Sequence, residues 1–266
     1  MKVFLKQYGE KRTGTNYLRT LLLKNFPDVV PLMHVLGDKH SAPVPLYEYW
    51  RQTHTLPDAA WEFVARSTFA APAESTNPGD PGQLQHMRSL SEDLAKSFAE
   101  GLLGFVFSVK HPYAWATSYA RYCGWMIQAG GQVQMRTEYT AGLQLACWEF
   151  NSRHRAWLDH CRRFPARSFV VRYEDLLTAP EKTIALLASK FGLEQPARPL
   201  ALPLRTVGPP FWDNSPLLIY QQQFNPGFYH EKRFLQQLSG ELWEIVNTTI
   251  DWELVKFFEY DREATK

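Results

Sequence analysis

The stretch Val3-Phe4-Leu5-Lys6-Gln7-Tyr8-Gly9-Glu10-Lys11-Arg12-Thr13-Gly14-Thr15-Asn16-Tyr17-Leu18 decides how the chain is read. Val3-Phe4-Leu5 reads as a short buried strand. Gly9 to Asn16 is a glycine-bearing turn, and Tyr17 to Asn25 carries Leu18, Leu21 and Leu22 at helical spacing. Strand, turn and helix together open a βαβ unit. Such a turn aims several backbone N–H groups at one point, and the helix dipole adds to their field. Lys11 and Arg12 supply cationic side chains, so the natural ligand is an anion.

Working outward, Val29 to Val35 is a second apolar run, ended by Gly37-Asp38-Lys39-His40. Ala70 to Gly82 is dense in Pro, Gly and Ser, and reads as a flexible insertion around 70–83 within one domain spanning 1–266. Leu90 to Leu103 has helical character, and Gly104 to Val109 is a buried strand. Pro112 starts a helix running past Ser118, since proline costs nothing in a first helical turn. Ala141 to Arg163 is a long amphipathic helix and Ser168 to Arg172 another strand. Thr178-Ala179-Pro180-Glu181 opens a helix that closes at Gly192, and Ser239 to Phe258 is a last helical region. Strands alternating with helices imply an α/β fold with a central parallel sheet flanked by helices on both faces. A chain of 266 residues, 45% hydrophobic and 21% charged, suits one such domain.

A net charge of +2 is too small to mark a binder of nucleic acid or of membrane surfaces, so any anion site is local. No run approaches the roughly 18 apolar residues of a membrane span. The N-terminus has no signal-peptide pattern, and Cys123, Cys147 and Cys161 form neither a disulfide framework nor a metal-ligand spacing. A cytoplasmic location is expected. The histidines show no metal-ligand spacing with carboxylates or cysteines; His154 and His160, six apart on one helix, face different ways.

Gly9 to Gly14 has the glycine spacing of a Walker A loop. Thr15 stands where its lysine belongs, however, and Asn16 where its metal-binding hydroxyl belongs, which argues against Mg-ATP chemistry. Lys11-Arg12-Thr13-Gly14-Thr15-Asn16-Tyr17-Leu18 instead resembles the 5′-phosphosulfate loop of sulfotransferases that use 3′-phosphoadenosine 5′-phosphosulfate. Arg12 falls on the basic position before Ser/Thr-Gly-Thr in that family. Its planar fork can hold the bridging phosphate and the departing oxygen together.

Other segments extend the resemblance. Phe107-Ser108-Val109-Lys110-His111-Pro112, followed by Ser118, is similar to the family's 3′-phosphate site: a basic residue ends a strand and a serine lies eight positions on. Lys110 stands where the family usually has arginine, keeping charge but losing the bidentate fork. Phe169 to Leu177 resembles the family's Tyr-Glu-Asp-Leu stretch, which places Tyr173 near the purine while the acids cap turns. Leu36 to His40 is similar to a Gly-x-Lys-His stretch of bacterial members. Asn225 to Arg233 has the place of a C-terminal loop over the nucleotide, without the Arg-Lys-Gly of cytosolic members.

The resemblance implies a three-layer, P-loop-like fold and metal-independent sulfuryl transfer from 3′-phosphoadenosine 5′-phosphosulfate to a small-molecule or carbohydrate acceptor. Lys11, Arg12, Thr13, Gly14, Thr15, Asn16, Tyr17, Lys110, Ser118 and Tyr173 would bind the nucleotide. His40, whose side-chain type titrates near working pH, is the first candidate for the base, with Glu10 and the strand residue His34 as alternatives. Lys39 would neutralise sulfuryl oxygens and Arg12 the leaving group. A P-loop small-molecule kinase and a non-catalytic nucleotide-binding protein remain the competing readings.

Overall fold

A computed structural model of the chain describes residues 3–32, 36, 38–43, 96–97, 100–129, 132–194, 199–202 and 226–263. The insertion expected around 70–83, and His34, lie outside them. Four strands form the main sheet: β1 (Val3–Gly9), β2 (Val29–Leu32), β3 (Leu103–Val109) and β6 (Ser168–Arg172), in the order β2-β1-β3-β6 and all parallel. A separate antiparallel pair, β4 (Met126–Ala129) and β5 (Gln132–Met135), lies within the connection from β3 to β6.

Helices cover both faces, giving the three layers expected. On one face lie α1 (Thr15–Asn25), α4 (Tyr173–Thr178) and α5 (Pro180–Lys190), whose Leu18, Leu21, Leu22, Ile184 and Leu187 pack with Val3, Leu5, Val106 and Val171 of the sheet. On the other lie α2 (Pro112–Tyr122), α3 (Thr140–Arg163), α7 (Gly240–Thr249) and α8 (Trp252–Lys256). The period of two in β3 sorts its side chains between these layers: Leu103, Phe105, Phe107 and Val109 face α3, while Val106 faces α1 and α5. Each such side chain stabilises the fold by about 1.5–3 kcal/mol relative to exposure. Along α3 the buried residues Leu143, Cys147, Phe150, His154, Trp157 and Cys161 recur at the three-to-four spacing of an amphipathic helix. The remaining short helix, α6 (Pro226–His230), packs against α4.

Some boundaries differ from the sequence reading. β1 continues through Lys6-Gln7-Tyr8, because polar side chains there find partners inside: Lys6 Nζ lies 4.8 Å from the Tyr8 ring centroid, and Gln7 Nε2 donates to Thr15 O at 2.9 Å. Leu103 opens β3 instead of closing the preceding helix, after a turn in which Gly101 has φ 83. The region 239–258 is two helices, each with its own N-cap: Ser239 Oγ accepts from Leu242 N–H, and Asp251 Oδ1 from Leu254 N–H at 3.0 Å. Among the described residues no helix is long and apolar enough to cross a membrane.

Candidate anion-binding and transfer site

The strand order reverses at β1. From β1 the chain goes to β2 on one side, then returns to β3 on the other. In open α/β sheets the crevice beyond the strand C-termini at such a switch point is where ligands bind. Register makes the crevice specific. Gly9 pairs with Ser108 and Val109 with Arg172, so the loop after β1, Lys110 after β3, and Tyr173 after β6 leave the sheet side by side.

Gly9 lets the first of these loops form. A Cβ there would lie 2.6–2.9 Å from Thr15 Cγ2, Thr13 Oγ1 and Ser108 Cβ. The loop then turns through two left-handed residues, Arg12 at φ 74 and Gly14 at φ 77. Thr13 fastens it by donating from N–H (3.2 Å) and Oγ1 (2.7 Å) to Glu10 O. Gly14 is the N-cap of α1 and makes no side-chain cap hydrogen bond; the first-turn N–H groups of a helix started this way are suited to an anion. The Arg12 guanidinium lies 5.7 Å from the Tyr122 ring of α2.

The segment carrying Lys39 and His40 is tied to the same loop. Gly9 N–H donates to Lys39 O at 2.8 Å, and Lys39 Nζ donates to Asn16 Oδ1 at 2.8 Å. His40 Nδ1 lies 2.6 Å from Gly9 O. A carbonyl only accepts, so Nδ1 carries the hydrogen and Nε2 is the basic nitrogen. Burial and the neighbouring Lys39 charge lower His40 to about 4, which keeps the ring neutral at neutral pH. Burial and Arg19 likewise lower Lys39 to about 8. Asn16, at the position a metal-binding hydroxyl would take, thus holds the lysine that the loop itself lacks.

Lys110 is 2% exposed, and its Nζ donates to Arg12 O at 3.5 Å. It sits 4.8 Å from the Tyr173 ring centroid and 5.2 Å from that of Tyr229. Burial lowers it to about 7, opposed by Glu174 and reinforced by Arg12 and Arg121. Arg12, Lys110 and Arg121 therefore form a cationic group with one acidic neighbour, an arrangement suited to a phosphate. Glu174 does what the sequence reading gave the acids of its motif: Oε1 accepts from His111 N–H at 3.0 Å, at the start of α2, and Oε2 accepts from Tyr260 Oη at 2.6 Å.

Tyr173 lies against the loop itself; a Cβ on Gly14 would be 2.3 Å from its Cδ2. Ser118 lies on α2, half-buried, eight residues after Lys110. The structure thus joins Arg12, Gly14, Asn16, Lys39, His40, Lys110 and Tyr173 in one connected group. Lys11 is exposed at its rim, and Thr13, Thr15 and Tyr17 are buried in its base.

Sequence reasoning missed several members. Tyr229, whose ring meets Tyr173 edge-on at 5.2 Å, belongs to the segment named as a cover but left out of the site. Arg153 of α3 forms an ion pair with Glu10, whose side chain is 2% exposed. No local signal marks it, because its partner is 143 residues away. Burial raises Glu10 to about 7 despite the pull of Arg153.

The chain matches no protein-family model and no curated protein sequence. Among solved structures, the sulfotransferase domain of the olefin synthase of Synechococcus PCC 7002 aligns at a TM-score of 0.53 and 16% identity, covering 99% of this chain and 96% of that one. The sulfotransferase domain from the curacin biosynthetic pathway aligns at a TM-score of 0.42 and 14% identity, covering 98% of this chain and 99% of that one. Four parallel strands between two helical layers, together with the first of these likenesses, establish the architecture: the chain has the sulfotransferase fold.

Proposed function

We propose that the chain transfers a sulfuryl group from 3′-phosphoadenosine 5′-phosphosulfate to a hydroxyl or amine of a small-molecule or carbohydrate acceptor. The observation that carries this reading is the meeting of the two cation-bearing segments that follow β1 and β3: Lys110 Nζ reaches the backbone carbonyl of Arg12 across the β1/β3 switch point. One nucleotide with phosphates at both its 3′ and 5′ positions has the charge such a crevice requires. The uncapped first turn of α1, closed below by Gly14 and Tyr173, supports placing the 5′ end there.

In this reading His40 Nε2 accepts the proton of the attacking oxygen or nitrogen, while the Nδ1–H bond to Gly9 O fixes its tautomer and aim. The acceptor atom bonds to sulfur as the bond from sulfur to the bridging phosphate oxygen breaks, and the electron pair leaves with adenosine 3′,5′-bisphosphate. Arg12 and the loop amides stabilise the charge that builds on this leaving group. Lys39, held by Asn16, neutralises sulfuryl oxygens. Lys110 and Ser118 bind the 3′-phosphate, with the lysine supplying charge and the serine a hydroxyl.

The test is a transfer assay with 3′-phosphoadenosine 5′-phosphosulfate and a panel of alcohols, phenols, amines and sugars. Turnover that Arg12→Ala lowers by 10²-fold or more, on the scale of one lost oxyanion donor, supports the reading. Near-normal turnover in that variant refutes the role of Arg12, and magnesium-stimulated ATP turnover would favour a kinase.

A further inference from the structure

Helix α3 touches the site twice, four residues apart on one face. Arg153 Nε pairs with Glu10 Oε1, and Trp157 Nε1 donates to Ser41 O at 3.2 Å, one residue beyond His40. Glu10 is the first residue after β1. Its carbonyl is the anchor for both Thr13 bonds, and the preceding carbonyl, Gly9 O, receives His40 Nδ1–H. A carboxylate this buried is held as an anion only where a cation compensates it. We propose that Arg153 is a positioning residue for the transfer centre: its ion pair with Glu10 fixes the backbone of Gly9 and Glu10, from whose carbonyls His40 and the anion loop are suspended.

This rests on the reading of His40 as proton acceptor. Arg153 is itself shared, since its other arm donates to Glu149 Oε2 at 3.2 Å one turn earlier on α3. The charged and titratable groups facing Glu10 are Arg153 and Glu149 from α3, Lys11 beside it, and Tyr119 from α2. A carboxyl raised from the ordinary 4.5 to about 7 favours the protonated fold. That contribution is complete below about 4.5 and is lost as pH rises through about 7. Removing Arg153 removes a cation that holds the value down, so the loss deepens and moves to higher pH.

The experiment compares the full chain with Arg153→Met, Arg153→Lys, Glu10→Gln and the Arg153→Met/Glu10→Gln pair. It reads kcat with the best acceptor of the panel, the melting rise produced by adenosine 3′,5′-bisphosphate, and the melting temperature from pH 6 to 9. Arg153→Met is expected to lower kcat at least tenfold, because proton transfer depends on the aim of His40, while the apparent Kd for adenosine 3′,5′-bisphosphate rises by a clearly smaller factor, since the loop keeps its own Thr13 bonds. Its melting temperature should fall more steeply with pH than that of the wild type, and adding Glu10→Gln should abolish the extra slope. Arg153→Lys should restore part of kcat. A kcat within twofold of wild type, an equal loss of nucleotide binding, or an unchanged pH slope would each overturn the assignment. If no acceptor is turned over and the nucleotide does not bind, the transferase reading fails, and the melting slope still decides whether Arg153 governs Glu10.

Discussion

Replacing Gly14 by alanine tests the loop geometry with a single methyl group. Gly14 has φ 77, and a Cβ there would meet Tyr173 Cδ2 at 2.3 Å and Cε2 at 2.5 Å. Left-handed backbone costs an L-residue about 1–2 kcal/mol. Pushing a packed ring aside costs roughly another 1–3 kcal/mol. For a chain of this size each kcal/mol lowers the melting temperature by about 2–4 °C, so a drop of roughly 4–20 °C is expected. Adenosine 3′,5′-bisphosphate affinity should fall too, because the alanine displaces the N-terminus of α1. Tyr173→Ala provides the control. In the double variant the clash is gone and only the backbone strain remains, so the pair should be less destabilised than the sum of the singles by about 1–3 kcal/mol. Thermal melts of the four proteins complete the cycle. A Gly14→Ala protein that melts with the wild type, or a cycle additive to within about 0.5 kcal/mol, would refute the contact between this ring and the loop.

Two further outcomes follow from the charges in the crevice. Burial lowers Lys110 to about 7; a bound phosphate needs the ammonium form, so nucleotide affinity should weaken as pH rises above about 7, measured by titration calorimetry from pH 6 to 9. Lys110→Arg, with its charge fixed, should flatten that dependence, whereas an equally steep fall in the arginine variant would place the titrating group elsewhere. His40→Asn should lower kcat by 10²–10⁴-fold with little change in nucleotide binding, in steady-state kinetics paired with melting shifts. Because His40 is held near 4, the wild-type rate should show no acid limb from this group above about pH 5; a limb centred near 6.5 that disappears in His40→Asn would contradict the buried, Gly9-bonded geometry.

The sheet and its helices were legible because their signals are local. The alternation through Gly104–Val109 and the helical spacing of Leu18, Leu21 and Leu22 each describe one element facing one core. The loop after β1 was legible in part for the same reason, since Gly9 crowds against Thr13 and Thr15 and Gly14 takes φ 77, but each glycine also answers to a residue far along the chain, Ser108 for Gly9 and Tyr173 for Gly14. Long-range pairing was not legible. Arg153 reads as an ordinary charge on an amphipathic helix until the fold brings Glu10 to it. Tyr229 reads as an aromatic in a loop until β3 places Lys110 beneath it. The antiparallel β4–β5 pair has a local sign in the sequence, two successive glycines between two short runs. The division of 239–258 into two helices was also written locally, in Asp251, a capping residue inside an otherwise helical stretch.

Transfer as proposed requires one crevice that accepts a nucleotide phosphorylated at both the 3′ and 5′ positions of its ribose. Thermal melting of the chain with adenosine 3′,5′-bisphosphate, against ATP with magnesium, tests this directly. At a hundred times its dissociation constant the bisphosphate should stabilise the fold by about 2.7 kcal/mol, a rise of roughly 5–10 °C that Lys110→Ala diminishes. An unchanged melting temperature with the bisphosphate, or a larger rise with magnesium ATP, would contradict it.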